Sequence, residues 1–290
     1  MPRITIAVTG ADGQLGMELR ERSRAYPSAD FIFLSRTDLP IDQPEKILIF
    51  FQSAKPDFCI NCAAYTAVDR AESESDRAFL INGESVGRLA SISAAQHTKL
   101  IHISTDYVFD GNSAQPINEE EDPSPINVYG ASKLLGELMA KKANPETLII
   151  RTAWVYSSFG NNFVKTMIRL MGEKESINVV NDQIGSPTYA ADLGEVILQI
   201  IDKGKFIPGI YHYSNEGRVS WYDFALAIKE LIGSPCKINP IASSDYPTAA
   251  KRPNYSLLDK TKIKLIYSLS IPDWKNSLIK CLNVIRRPQA

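Results

Sequence analysis

Short apolar runs alternate with longer helical patterns through the first half of the chain. The runs are Ile4 to Val8, Phe31 to Leu34, Phe58 to Cys62, Leu100 to Ile103 and Leu148 to Ile150. Continuous apolar segments of this length read as strands covered on both faces. Between them, the spacing predicts helices near Leu15 to Arg24, Glu45 to Ser53, Ser75 to Ala95 and Ser132 to Lys142. Strands alternating with helices predict an α/β fold, a doubly wound parallel sheet with crossover helices on both faces. After Trp154 the pattern loses regularity, and Pro187, Pro208, Pro235, Pro240, Pro247, Pro253 and Pro272 punctuate short elements. That region reads as a smaller α/β lobe, with a helix near Ala191 to Ile201 returning to the main sheet.

The first predicted strand runs into Thr9-Gly10-Ala11-Asp12-Gly13-Gln14-Leu15-Gly16. Strand, glycine-rich turn and helix in this order form a phosphate cradle. Gly10, Gly13 and Gly16 let the backbone turn, approach a pyrophosphate and pack the new helix, whose first N–H groups at Gln14 and Leu15 face the phosphates. The spacing is GxxGxxG rather than GxGxxG. It makes the sheet Rossmann-like and its ligand a dinucleotide. Ala63, Ala64 and Tyr65, then Ser104 and Thr105, also follow apolar strands, so they converge with the turn on one crevice at the strand ends. The division expected is 1–153 with about 177–205 for the dinucleotide-binding domain, and about 154–176 with 206–290 for the substrate-binding lobe.

Ser104-Thr105-Asp106-Tyr107 and Tyr129-Gly130-Ala131-Ser132-Lys133 bring a hydroxyl, a phenol and an ammonium to that crevice. Tyr129 and Lys133 are four residues apart, one helical turn on the same face. A free phenol ionises near pH 10, and an ammonium beside it lowers that value. A shift of roughly 2 to 3 units asks for about 3 to 4 kcal/mol, within reach of one desolvated charge. Lys133 is therefore expected to make Tyr129 easier to ionise and a better proton donor to a carbonyl under reduction.

These motifs resemble the extended short-chain dehydrogenase/reductase family, which pairs an N-terminal GxxGxxG with a Ser/Thr, Tyr and Lys set. The resemblance covers nearly the whole chain. It extends through Cys62-Ala63-Ala64-Tyr65-Thr66-Ala67-Val68-Asp69, Arg151-Thr152-Ala153-Trp154-Val155-Tyr156, Gly160-Asn161-Asn162-Phe163, Asn181-Asp182-Gln183-Ile184-Gly185-Ser186-Pro187-Thr188 and Arg252-Pro253. It implies hydride transfer from NADP(H) or NAD(H) to the C4 carbonyl of a nucleotide-linked 4-keto-6-deoxysugar. Tyr129 would donate the proton, Thr105 hydrogen-bond the same oxygen, and Lys133 hold the cofactor ribose. Asp106 and Trp154 would border the sugar, with Asn161, Gln183 and Arg252 as further candidates for the nucleoside diphosphate. Dehydratases of the family place an Asp-Glu pair after the threonine, where this chain has Asp106-Tyr107; that difference favours reduction. The resemblance leaves open the C4 configuration formed and a non-catalytic role like that of the methionine adenosyltransferase regulatory subunit.

Cofactor choice turns on the end of the second strand, Leu34-Ser35-Arg36. Ser35 and Arg36 without an adjacent carboxylate suit the 2′-phosphate of NADP, although Asp38 lies close by. Asp42 is placed to cap the next helix, and the resemblance puts Asp42 and Gln43 at the adenine end. Some related reductases form homodimers through magnesium held by acidic residues. Glu18 stands where such a ligand would be, with no acidic match recognised near Ala191, so magnesium and the choice between monomer and homodimer are left open.

A 290-residue chain with 44% hydrophobic residues buries a large core, and its net charge of −1 offers no basic field for nucleic acid. No apolar stretch reaches the roughly 18 residues of a membrane span and no secretory leader is evident, which makes cytoplasmic residence the expectation. Cys59 and Cys62 have CxxC spacing but sit in a predicted strand, which points them to opposite faces. They read as core cysteines rather than metal ligands.

Overall fold

In the computed structural model, which describes residues 3–287, strand β1 (Ile4–Thr9) occupies the interior of a parallel sheet. Helix α1 (Gln14–Ser23), β2 (Ala29–Leu34), α2 (Pro44–Ala54) and β3 (Phe58–Asn61) follow in turn. Next come α3 (Val68–Ala71), α4 (Ser75–Phe79) and α5 (Ser85–Ala95), then β4 (Lys99–Thr105), α6 (Val128–Ala143) and β5 (Leu148–Thr152). The lateral order is β2-β1-β3-β4-β5, and it reverses direction at β1 and β3, the place where such sheets bind ligands. One face is covered by α1 and its neighbours, through Leu15, Leu19 and Ile197; the other is covered by α2, α5 and α6, through Phe51, Leu89 and Ala140. Cys59 packs into the second core and Cys62 against the first.

The helix expected over Ser75 to Ala95 is interrupted by a π-helical turn at Leu80–Glu84. Its Asn82 side chain accepts from the Tyr65 backbone N–H at 2.8 Å and donates to the Tyr65 carbonyl at 3.0 Å and to Ser132 Oγ at 3.0 Å. The local widening thus ties the loop after β3 to α6, as π-turns at functional sites often do.

The second half adds β6 (Val155–Tyr156), α7 (Phe163–Glu173), β7 (Ser176–Val180), β8 (Ile184–Gly185), β9 (Thr188–Tyr189) and α8 (Ala190–Asp202). It continues through β10 (Gly209–Tyr213), β11 (Val219–Ser220), α9 (Trp221–Ile232), β12 (Lys237–Ile241), α10 (Thr261–Tyr267) and α11 (Trp274–Ile285). Here the boundaries shift from those expected. β10 is the sixth strand of the main sheet, parallel to β5, and α10 contributes Ile263 and Tyr267 to the core beneath it. The segment Gly-Ile-Tyr-His-Tyr alternates aromatic and other side chains and lacks the apolar run that marked the other strands. Conversely, β7 pairs with β12 and belongs to the lobe. The lobe has its own core, in which Tyr156, Val164, Phe224 and Leu278 are buried. Helix α8 does return to the main domain, where Leu193 joins the core with Leu19 of α1.

Candidate active site

A crevice of about 680 Å³ runs along the C-terminal strand ends, from Arg36 and Asp42 at one extremity to Trp154 and Asn161 at the other. Gly10 adopts φ +64°, and a Cβ there would lie 2.6 Å from the backbone nitrogen of Ala63, so only glycine lets β1 and β3 end this close together. Helix α1 starts at Gln14 with Gly13 as its N-cap and, among the described residues, no side-chain cap hydrogen bond. Gly10, Gly13, Gln14 and Leu15 line the crevice, whereas Gly16 packs on the Ala11 backbone. An uncapped helix N-terminus behind a glycine cradle fits the pyrophosphate of a dinucleotide.

At the end of the crevice beside β2, Arg36 is exposed and lines the wall. Ser35 does not; its hydroxyl is held by Asp38 Oδ2 at 2.6 Å. Gln43 lies outside as well, and Asp42 makes no cap to α2 but pairs with Arg77 at 3.3 Å. Arg77 was not anticipated. It reaches the site from α4, where no motif marks it. Ala63, Ala64 and Tyr65 form the wall after β3 as expected.

The chemical centre assembles where α6 begins. Asn127 Oδ1 accepts the Gly130 N–H at 2.7 Å, which starts the helix at Val128 and puts Tyr129 in its first turn. A Cβ on Gly130 would stand 2.1 Å from the Tyr107 carbonyl oxygen, so glycine is what lets this turn approach β4's end. Thr105, Tyr129 and Lys133 all line the crevice, and Tyr107 packs edge-on against Tyr129 with ring centroids 5.6 Å apart.

The acidity of Tyr129 departs from expectation. Burial pushes its phenol up to about 12, against a smaller opposing effect of the neighbouring Thr105 hydroxyl. Lys133 does not offset this, because its amine donates to the Ile103 carbonyl at 2.6 Å, in the floor of the site. Burial instead brings Lys133 down to about 8. In this state Tyr129 is firmly protonated, the form a reduction consumes.

Beside Thr105, Asp106 is buried, and its Oδ2 has no hydrogen-bond partner among the described residues. Burial raises its carboxyl to about 6, partly offset by the neighbouring hydroxyls of Ser256 and Thr105. The sign follows from linkage: a folded value above the unfolded 3.8 means that stability falls as pH rises from below 4 to above 6, where the whole cost is present. Asp106→Asn is therefore expected to stabilise the protein by about 1 to 3 kcal/mol at neutral pH and by almost nothing below about pH 4, while reducing turnover. Urea unfolding at the two pH values checks it.

Trp154 holds φ +48°, a left-handed conformation unusual outside glycine, and stacks on Trp221 with centroids 3.6 Å apart. Packing in the lobe and lining the crevice are thus both true of it. Asn161 lines the same end, but Gln183 bonds Ser243 Oγ at 2.9 Å and Arg252 pairs with Asp69 at 2.7 Å, both outside the crevice.

Among the described residues no group of three or more His, Cys, Asp or Glu side chains is arranged to hold a metal. Glu18 is buried against Ser157 Oγ at 2.6 Å. Asp192, overlooked beside Ala191, stands near enough to raise the Glu18 carboxyl, after the larger effect of burial.

Comparison with known proteins agrees with this geometry. The family model described as RmlD substrate binding domain matches residues 4–287. A dTDP-4-dehydrorhamnose reductase of Aggregatibacter actinomycetemcomitans is 39% identical over 283 residues, covering 94% of this chain and 96% of the relative. The crystal structure of a dTDP-4-dehydrorhamnose reductase from Clostridium acetobutylicum superposes with a TM-score of 0.94 at 39% identity, covering 98% of this chain and 100% of that one. The Bacillus anthracis enzyme in complex with NADP gives 0.94 at 39% identity, over 97% and 99%. With the glycine cradle, the Thr105, Tyr129 and Lys133 set and the lobe all falling within one continuous match, the chain belongs to the dTDP-4-dehydrorhamnose reductase family.

Proposed function

We propose that this chain catalyses the NAD(P)H-dependent reduction of the C4 keto group of dTDP-4-dehydro-β-L-rhamnose to dTDP-L-rhamnose. The observation that carries it is the meeting of Thr105, Tyr129 and Lys133 with the glycine cradle in one crevice. Gly10, Gly13, Gln14 and Leu15 would hold the pyrophosphate, Ala63, Ala64 and Tyr65 the middle of the cofactor, and Arg36, Asp42 and Arg77 its adenosine end. Two cations to one carboxylate there favour the extra phosphate of NADP. The reduced nicotinamide, when bound, supplies the hydride.

The protein's own residues do the rest. Tyr129, protonated throughout the neutral range, gives its phenolic proton to the oxygen that gains charge as C4 is reduced. Thr105 Oγ1 donates to the same oxygen, giving up its 3.1 Å bond to Asp106 Oδ1. Asp106, with Oδ2 free, accepts from a sugar hydroxyl, and Trp154 closes the apolar side. Lys133 binds the nicotinamide ribose. The protein is expected to act as a nucleotide-sugar enzyme of the cytoplasm, as a monomer or a homodimer; no described helix is long and apolar enough to cross a membrane.

Purified protein given NADPH or NADH and dTDP-4-dehydro-β-L-rhamnose is expected to consume the cofactor and form dTDP-L-rhamnose. Formation of the 6-deoxy-L-talose epimer would keep the machinery and change the C4 assignment. Cofactor binding without turnover on any 4-keto sugar nucleotide would contradict catalysis and favour a binding role.

A further inference from the structure

Beneath Lys133 lies a row of polar side chains that the reaction above does not use. Thr9, Asn61 and His102 are lateral neighbours on β1, β3 and β4, and all three are buried. Thr9 Oγ1 donates to Asn61 Oδ1 at 2.7 Å, and the Ala63 backbone N–H donates to the same oxygen at 3.2 Å. A backbone N–H can only donate, so Oδ1 is fixed as the acceptor and Nδ2 as the donor. Asn61 Nδ2 stands 3.0 Å from His102 Nδ1, which must then accept. The neutral ring carries its proton on Nε2, and that nitrogen lies 3.5 Å from Lys133 Nζ. An imidazolium would set N–H against N–H at Asn61.

An ammonium has no lone pair to receive Nε2–H, whereas a neutral amine accepts it and still donates to the Ile103 carbonyl. We infer that Thr9, Asn61 and His102 are positioning residues that favour the uncharged form of the Lys133 amine in the nucleotide-free protein, so that nucleotide binding at mildly alkaline pH is coupled to proton uptake. The inference rests on the assignment of Lys133 to the ribose in the proposed function.

The charges around the amine bear on the balance from each side. Glu137 on α6 and Cys62 after β3 favour the ammonium, but burial outweighs them. Arg151 on β5 neutralises Glu137 at 2.7 Å. Tyr129 on α6 remains a neutral phenol, and Asp106 after β4 has its carboxyl raised by burial. His102 is held well below the usual imidazole range by burial, consistent with a ring that stays neutral. In the nucleotide complex the amine exchanges His102 and Ile103 for ribose hydroxyls and regains its proton.

Titration calorimetry of NADPH binding in buffers of different ionisation enthalpy reads that proton. At about pH 8.5 the wild type is expected to take up roughly half a proton or more. Asn61→Asp keeps an acceptor for Thr9 and Ala63 but turns the other atom into an acceptor of Nδ1–H, leaving Nε2 free to accept from an ammonium. Its uptake is expected to fall severalfold. Equal uptake in the two proteins overturns the inference. Nitrogen NMR of the nucleotide-free wild type gives a second reading that does not depend on the Asn61 variant; the chain has only 3 histidines, and His102→Gln identifies the signal. A His102 ring protonated on Nε2 and unchanged from pH 5 to 9 is expected; an Nδ1–H ring overturns the inference. Failure of NADPH to bind would count against the dinucleotide reading itself, which the NMR result does not depend on.

Discussion

Tyr129→Phe is expected to lower turnover by about a thousandfold, the scale of a lost general acid. The substitution removes one oxygen and keeps the ring that packs edge-on against Tyr107, so the start of α6 and the crevice wall keep their shape. Thr105 then remains as the only one of the two proposed donors to the developing charge, and proton delivery falls to water. NADPH affinity is expected to stay within roughly fivefold, since no more than one hydrogen bond is at stake there. Measuring cofactor consumption and cofactor affinity on the same preparation separates the two. A comparable loss in affinity would mean that Tyr129 acts in binding rather than in proton transfer.

Arg151→Met is expected to destabilise the fold by about 3 to 5 kcal/mol, the cost of leaving a buried charge unpaired. Arg151 and Glu137 are 2% and 1% exposed, so water screens neither. Arg151 donates through Nη2 at 2.7 Å and Nε at 3.0 Å, and Ser104 Oγ adds a third donor to Glu137 at 2.5 Å. The guanidinium also stands 5.0 Å from the Phe109 ring centroid. This cluster joins β5, β4 and α6 one turn beyond Lys133, so its loss is also expected to loosen the register of Lys133 against Thr105. Replacing both partners, Glu137→Leu with Arg151→Met, is expected to recover most of the stability because no orphaned charge remains. Urea unfolding of the single and double variants measures this; additive losses in the double variant would show that the pair acts through packing alone.

The parts of the site that depend on short-range spacing were legible in the sequence. Glycines 10, 13 and 16 follow an apolar run, and residues 129 and 133 share a helix face; neither relation needs a distant contact to be recognised. Thr105 was legible because a strand end fixes where a side chain emerges. What escaped depends on contacts between segments far apart. Arg77 enters the crevice from α4, where it stands beside Asp42 from a different segment of the chain. The direction of the Lys133 amine is set by the Ile103 carbonyl and His102 on another element, so the expected effect on Tyr129 acidity did not follow from the four-residue spacing. β10 lacked an apolar run because its His212 backbone and ring bond Glu119 and Ile117 respectively, in a polar seam at the edge of the sheet. Asp192 acquires meaning only when α8 packs on α1 near Glu18.

The most direct test of the central claim is the fate of the hydride. The protein is incubated with dTDP-4-dehydro-β-L-rhamnose and NADPH carrying deuterium at both C4 positions of the nicotinamide, and the sugar product is analysed by NMR. One deuterium at C4 of dTDP-L-rhamnose in the wild type, with almost none formed by Tyr129→Phe, is the result predicted. Unchanged substrate beside bound NADPH, or deuterium at any sugar carbon other than C4, would contradict it.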